Sequence, residues 1–188
     1  MLFDEHILLW LHLPYKKSHL IERLNDLNIS PEDIDYIFIT HAHFDHAYGY
    51  IYEGKTKFTK AKVYVSKAEY DGWNSFDENN TDRPFLKAAK KIALEFFAAA
   101  KDNMVLFNFG DTLPLGVLAI DAKGHSPGQT AFQLGKVIFT GDMIHNFPYQ
   151  FVYPDHYDIY DFDQALAVET RKKIIQYSKE NKLIFTGN

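Results

Sequence analysis

Cysteine is absent from the sequence, which excludes disulfides and thiolate ligands and leaves nitrogen and oxygen donors for any metal. A bilayer-spanning run is also lacking. The apolar stretch from His6 to Leu13 falls far short of the roughly 20 residues a spanning helix needs, and no basic region or small-residue cleavage site marks a signal peptide. Basic residues form no stripe that would follow phosphates, and the net charge of −5 is not gathered into an acidic run. Repeats and low-complexity tracts are missing too. These absences lead to the expectation of a cytoplasmic protein with neither nucleic acid nor membrane as a partner.

An apolar fraction of 46% with 24% charged residues is ordinary for a globular chain, and 188 residues suffice for one sizeable core. We therefore expect a single domain over residues 1–188. The 16 Phe and 12 Tyr are available for that core and for an apolar substrate pocket. Met1 to Asp4 and Ile7 to Leu13 read as short apolar segments, and Ser18 to Leu27 has helical spacing. Ser30 to Asp33 forms a turn or short helix start, Tyr36 to Thr40 a strand, Lys62 to Ser66 a second strand, and Lys67 to Trp73 a helix. Gly72 to Pro84 is polar and turn-rich. Phe85 to Ala100 reads as a helix, Met104 to Phe107 and Val117 to Asp121 as strands. Thr130 to Leu134 with Val137 to Thr140 forms a hairpin, and a helix over Phe162 to Tyr177 precedes a last strand, Leu183 to Thr186. Strands alternating with helices, with polar signature residues where strands end, predict an α/β layered fold whose loops hold the site at one sheet edge.

His41-Ala42-His43-Phe44-Asp45-His46 puts three imidazoles and a carboxylate directly after an apolar strand. These are ligand types for zinc and related divalent ions, and extended backbone turns His41 and His43 to the same side. Asp45 and His46 are then placed to serve a neighbouring ion. Gly124-His125-Ser126-Pro127-Gly128 is a tight turn presenting one histidine; alone it reads as a structural or exposed residue. Thr140-Gly141-Asp142 ends another β-run with a carboxylate that, alone, reads as a helix cap or turn residue.

Together and in this order, the three motifs resemble the metallo-β-lactamase superfamily, with its H-x-H-x-D-H cluster, later G-H-[ST]-P-G turn and G-D after a strand. The resemblance spans about Asp33 to Asn146, and Asp161 to Gly187 looks like the family's closing helix and strand. It implies a four-layered αβ/βα sandwich with a binuclear site between its sheets. His41, His43 and His125 would hold one ion, Asp45 and His46 the other, and Asp142 would bridge both. Two zinc ions are implied, with one ion, or Mn, Fe or Co, left open. The implied reaction is hydrolysis of an ester, lactone or phosphotriester by a metal-activated water, with Asp45 orienting that water or passing a proton to the leaving group.

Gly141 to Asn146, Gln150, Tyr153-Pro154-Asp155, Ala165 and Thr170-Arg171 look most like the lactonase and methyl-parathion-hydrolase-like group, which implies a small-molecule substrate. Glyoxalase II usually carries a histidine where this chain has Gln129. His145 and His156 could approach the site or the substrate, with surface or satisfied histidines the favoured reading; His6, His12 and His19 read as structural or exposed, and Phe147 and Tyr149 as pocket or core. The Phe85 to Ala100 helix is placed to cap the groove. Two departures concern the ends: the family's opening hairpin is not evident, and the histidine usually found just after the closing strand is not seen at Gly187-Asn188. The alternative reading is therefore a truncated relative that binds metal and catalyses poorly. An exposed sheet edge at the start would favour a homodimer.

Overall fold

The computed structural model describes residues 2–3, 19–52 and 55–187. The expected apolar segment from Ile7 to Leu13, with His6 and His12, lies outside these residues, as does Asn188. In chain order the strands are β1 (Leu2–Phe3), β2 (Tyr36–Phe38), β3 (Ile51–Tyr52), β4 (Lys55–Thr56), β5 (Lys62–Ser66), β6 (Met104–Phe107), β7 (Thr112–Leu113), β8 (Val117–Asp121), β9 (Thr130–Leu134), β10 (Val137–Phe139) and β11 (Ile184–Thr186). The helices are α1 (Leu20–Asp26), α2 (Phe44–Ala47), α3 (Lys67–Ser75), α4 (Pro84–Ala100), α5 (Phe147–Gln150) and α6 (Gln164–Asn181).

One sheet has the order β1-β2-β5-β6 and is parallel throughout. A second has the order β11-β10-β9-β8-β7; it is antiparallel except where β11 joins β10 in parallel. A small ribbon pairs β3 with β4.

Strand alternation explains the layering. In β2 and β5, Ile37, Val63 and Val65 point to one face and Phe38 and Tyr64 to the other. Phe38 packs with Phe107, Leu113, Val117, Ala119 and Phe132, which joins the two sheets face to face. Ile37, Val63 and Val65 instead meet Leu24 of α1, Trp73 of α3, and Leu86, Ala89, Ala93 and Phe96 of α4. On the far side of the second sheet, Ala131 and Ile138 meet Ile174 and Ile175 of α6. Helices outside, two sheets inside: this is the αβ/βα sandwich that the sequence resemblance implied.

Most boundaries fall within a residue or two of the expected ones. The exception is the last helix, which starts later and runs further than Phe162 to Tyr177. Phe162 and Asp163 stay outside the helix because their amides donate to the carbonyls of His125 (3.1 Å) and Gly124 (2.8 Å). Asp163 then caps α6 by accepting from the Leu166 amide, and the helix stops only at Lys182, which takes the left-handed conformation at φ 53°. Among the described residues no helix is long and apolar enough to cross a membrane.

Candidate metal centre

Three loops, leaving the ends of β2, β8 and β10, converge at one end of the sandwich. The first is anchored between the sheets: Ile39 donates to Tyr64, and the Thr40 carbonyl accepts from the Thr130 amide at 2.9 Å. His43 is extended (φ −73°, ψ 163°) and is the residue before α2. Asp45 and His46 therefore sit on one helical turn immediately after His43. His41 and His43 share a side as expected, with ring centroids 4.6 Å apart, and His46 turns back to 4.1 Å from His41.

The second loop carries His125 between two glycines whose size is dictated by close backbone. Gly124 has φ +134°, and a Cβ there would lie 2.3 Å from the Ala167 backbone; one on Gly128 would lie 1.9 Å from the Glu69 amide nitrogen. The third loop is the short turn Gly141–Met143, which buries Asp142. Gln129 ties the second and third loops by donating to the Thr140 carbonyl at 2.9 Å.

Buried Glu69 holds the first two loops together. Its Oε1 accepts from the Ala42 amide and Trp73 Nε1, both at 2.8 Å, and its Oε2 from Ser126 Oγ (2.6 Å) and the Gly128 amide (2.7 Å). Burial raises its pKa, and these four donors partly offset that rise. Ser66 sets this residue in place: its hydroxyl accepts from the Glu69 amide and donates to the Gly128 carbonyl.

His41, His43 and His125 offer ligand atoms that lie within 4.8 Å of one another, and so do His41, His46 and Asp142. Asp142 Oδ1 is 3.0 Å from His46 Nε2, and its Oδ2 is 3.8 Å from His125 Nε2. Asp45 is not in either group; its Oδ2 lies 3.8 Å from His46 Nε2 and a third of its side chain is exposed. A third group, His125, Asp142 and His145, brings in a residue for which the sequence favours a surface or satisfied role over an approach to the site. His145 Nε2 is 3.6 Å from Asp142 Oδ2, and its ring is 4.7 Å from that of His125.

The electrostatics suit a cation. Burial, reinforced by the neighbouring imidazoles, pushes the pKa of His41 well below its ordinary value; burial and then His125 do the same to His43. Both rings are thus neutral with lone pairs available. Burial alone would raise Asp142, but His46, His125 and His145 outweigh it and hold the carboxyl well below the usual range. The Nε2 atoms of His41 and His43 are buried without a hydrogen-bond partner, a costly arrangement that an ion coordinated by the cluster would explain. An all-nitrogen-and-oxygen donor set fits zinc, and equally other first-row divalent ions.

Phe85, the second residue of α4, stands edge-on to His43 at 5.1 Å and contacts Tyr160 at 4.9 Å. These two rings flank the histidines. Phe147 instead packs on Phe151 and Phe185, and Tyr149 on Tyr153 and His156, where its hydroxyl is 3.0 Å from His156 Nε2.

The fold and site define a class. The profile of the Metallo-beta-lactamase superfamily matches residues 5–186, and the chain belongs to that superfamily. Among curated proteins it is 26% identical over 179 residues to the N-acyl homoserine lactonase AiiA of Bacillus thuringiensis subsp. kurstaki, covering 92% of this chain and 63% of the relative. It is also 26% identical to the probable metallo-hydrolase MJ0296 of Methanocaldococcus jannaschii, covering 90% and 64%. Among solved structures it superimposes on AidC, a dizinc quorum-quenching lactonase bound to its product N-hexanoyl-L-homoserine, with TM-score 0.81 and 25% identity over 93% of this chain and 64% of that one. The hydrolase AbOPH gives TM-score 0.79 and 27% identity, covering 90% and 62%. The chain thus spans a little under two thirds of the length of these relatives.

Proposed function

We propose that the chain is a divalent-metal hydrolase that opens a small cyclic ester, with open-chain esters and phosphotriesters as related substrates. The observation that carries the proposal is the convergence of buried His41, His43 and His125 with buried His46 and Asp142. The lactonase relatives, one of them dizinc with an opened N-acyl homoserine lactone in its site, support the substrate class.

In this reading His41, His43 and His125 would hold one zinc ion, Asp45 and His46 would hold a second, and Asp142 would contribute to both. When bound, such ions supply Lewis acidity and lower the pKa of water toward ~7, so that hydroxide is available at neutral pH. The remaining work falls to the chain. Asp142 stays anionic and balances the charge of the centre. Burial keeps His41 and His43 unprotonated, so protons do not compete for their lone pairs near neutrality. Asp45 is partly exposed, and burial is the largest cause of its raised pKa. It is thereby suited to receive a proton and return it to the leaving alkoxide. Phe85 and Tyr160 give the apolar part of the substrate a wall beside His43. The same reading treats residues 1–188 as one domain.

The test is turnover of N-hexanoyl homoserine lactone, a phenyl ester and a dialkyl aryl phosphate by the zinc-loaded chain, beside Asp142→Asn. Lactone opening that falls at least about 100-fold in the variant is the expected result. A chain that holds two ions and turns over none of the three contradicts the proposal.

A further inference from the structure

The mechanism leaves unused a buried carboxylate behind the site. Asp161 is fully buried, 36 residues from His125 in sequence, and its Oδ1 lies 3.1 Å from His125 Nδ1. Its Oδ2 accepts from the Asp158 amide at 2.8 Å. The main chain around it is fixed from three sides. Phe162 and Asp163 donate to the His125 and Gly124 carbonyls. Arg83 donates to the carbonyls of Ile159 (2.6 Å), Asp161 (2.7 Å) and Phe162 (3.3 Å). Arg171, fully buried in α6, donates to the carbonyls of Met143, Pro154 and His156, and its Nη2 lies 3.8 Å from Asp161 Oδ2. A guanidinium, a carboxylate and an imidazole are thus lined up from α6 to the centre.

We propose that Asp161 is a positioning residue: it takes the Nδ1 proton of His125 in a hydrogen bond and so fixes the tautomer and ring plane that turn the Nε2 lone pair into the centre. A carboxylate beside one ring nitrogen requires the proton on that nitrogen, which leaves the other as acceptor or ligand. The free nitrogen is Nε2, which is 2.8 Å from His43 Nδ1 and 3.8 Å from Asp142 Oδ2. Arg171 supplies the compensating charge. Asp158, three residues earlier, repeats the arrangement more loosely, with Oδ2 3.9 Å from His145 Nδ1 while His145 Nε2 faces Asp142.

The inference rests on His125 being a metal ligand, and two measurements separate its failure from the failure of that reading. Long-range proton–nitrogen spectra of the metal-free, histidine-labelled chain report the tautomer of His125 directly. The Nδ1–H form is expected; the Nε2–H form overturns the proposal whether or not zinc binds. Competition with a chromophoric chelator then compares zinc affinity in the unsubstituted chain and in Asp161→Asn. A 10- to 100-fold loss is expected, the range for removing an outer partner of a ligating histidine. Unchanged affinity in a folded Asp161→Asn also overturns it. If that variant does not fold, the tautomer in the unsubstituted chain decides. If the unsubstituted chain binds no zinc, the proposed function fails while the tautomer still tests Asp161.

Discussion

Replacing Glu69 perturbs the contact that keeps two ligand loops in register. In Glu69→Ala the Ala42 and Gly128 amides, Trp73 Nε1 and Ser126 Oγ lose their acceptor together, in a site Glu69 fills to 1% exposure. A buried donor left unsatisfied costs about 1–3 kcal/mol, and the Ser126 hydroxyl can turn elsewhere, so three amide-type donors carry the loss. Because neighbouring losses do not add in full, we expect a decrease of about 3–5 kcal/mol. Glu69→Gln is milder. One amide oxygen can keep Ala42 and Trp73, and the amino group can donate to Ser126 Oγ, which leaves only the Gly128 amide facing a donor and costs about 1–3 kcal/mol. Urea unfolding of the metal-free chain at neutral pH, followed by circular dichroism, measures both. A Glu69→Ala loss below about 1 kcal/mol, or equal losses for the two variants, refutes the clamp.

Two other predictions follow from the same loops. Gly128→Ala forces a methyl against the Glu69 amide and is expected to cost at least the upper end of the about 1–3 kcal/mol typical of overpacking, read from the same urea curves. The metal-free chain should also lose stability on mild acidification. His41 and His43 have folded pKa values below the ordinary 6.5, so the unfolded chain binds more protons and stability falls as pH drops below that value. Between pH 7.5 and 5.5 each histidine is expected to contribute on the order of 1 kcal/mol of that loss. Paired His41→Gln and His43→Gln substitutions should flatten the slope, and an unchanged slope would contradict the assignment.

The parts of the site legible in sequence are those whose residues are close along the chain. His41, His43, Asp45 and His46 share one short motif, and His125 and Asp142 each follow a readable strand. Glu69 and Asp161 carried no such mark. Ser66-Lys67-Ala68-Glu69 reads as an ordinary helix start, and Glu69 meets Ser126 across 57 positions. Asp161 sits among several acids near Tyr153 to Asp163, and only the docking of that segment on Gly124 and His125 singles it out. For His145 the sequence leaves two roles open for a similar reason, since one turn after Gly141-Asp142 decides whether it faces solvent or Asp142. In the fold, long elements such as α4 declared themselves through composition and period. The four-residue α2 and α5 and the two-residue β3, β4 and β7 are too short to impose a period and exist because of what they pack against.

The central claim is that these loops build a two-ion centre, and metal content per chain tests it most directly. Elemental mass spectrometry would be run on chain purified without chelator and reloaded with zinc, beside His125→Ala. The account predicts close to two equivalents in the unsubstituted chain and a clear fall in the variant. Content of about one equivalent or less, or content that His125→Ala leaves unchanged, would contradict it.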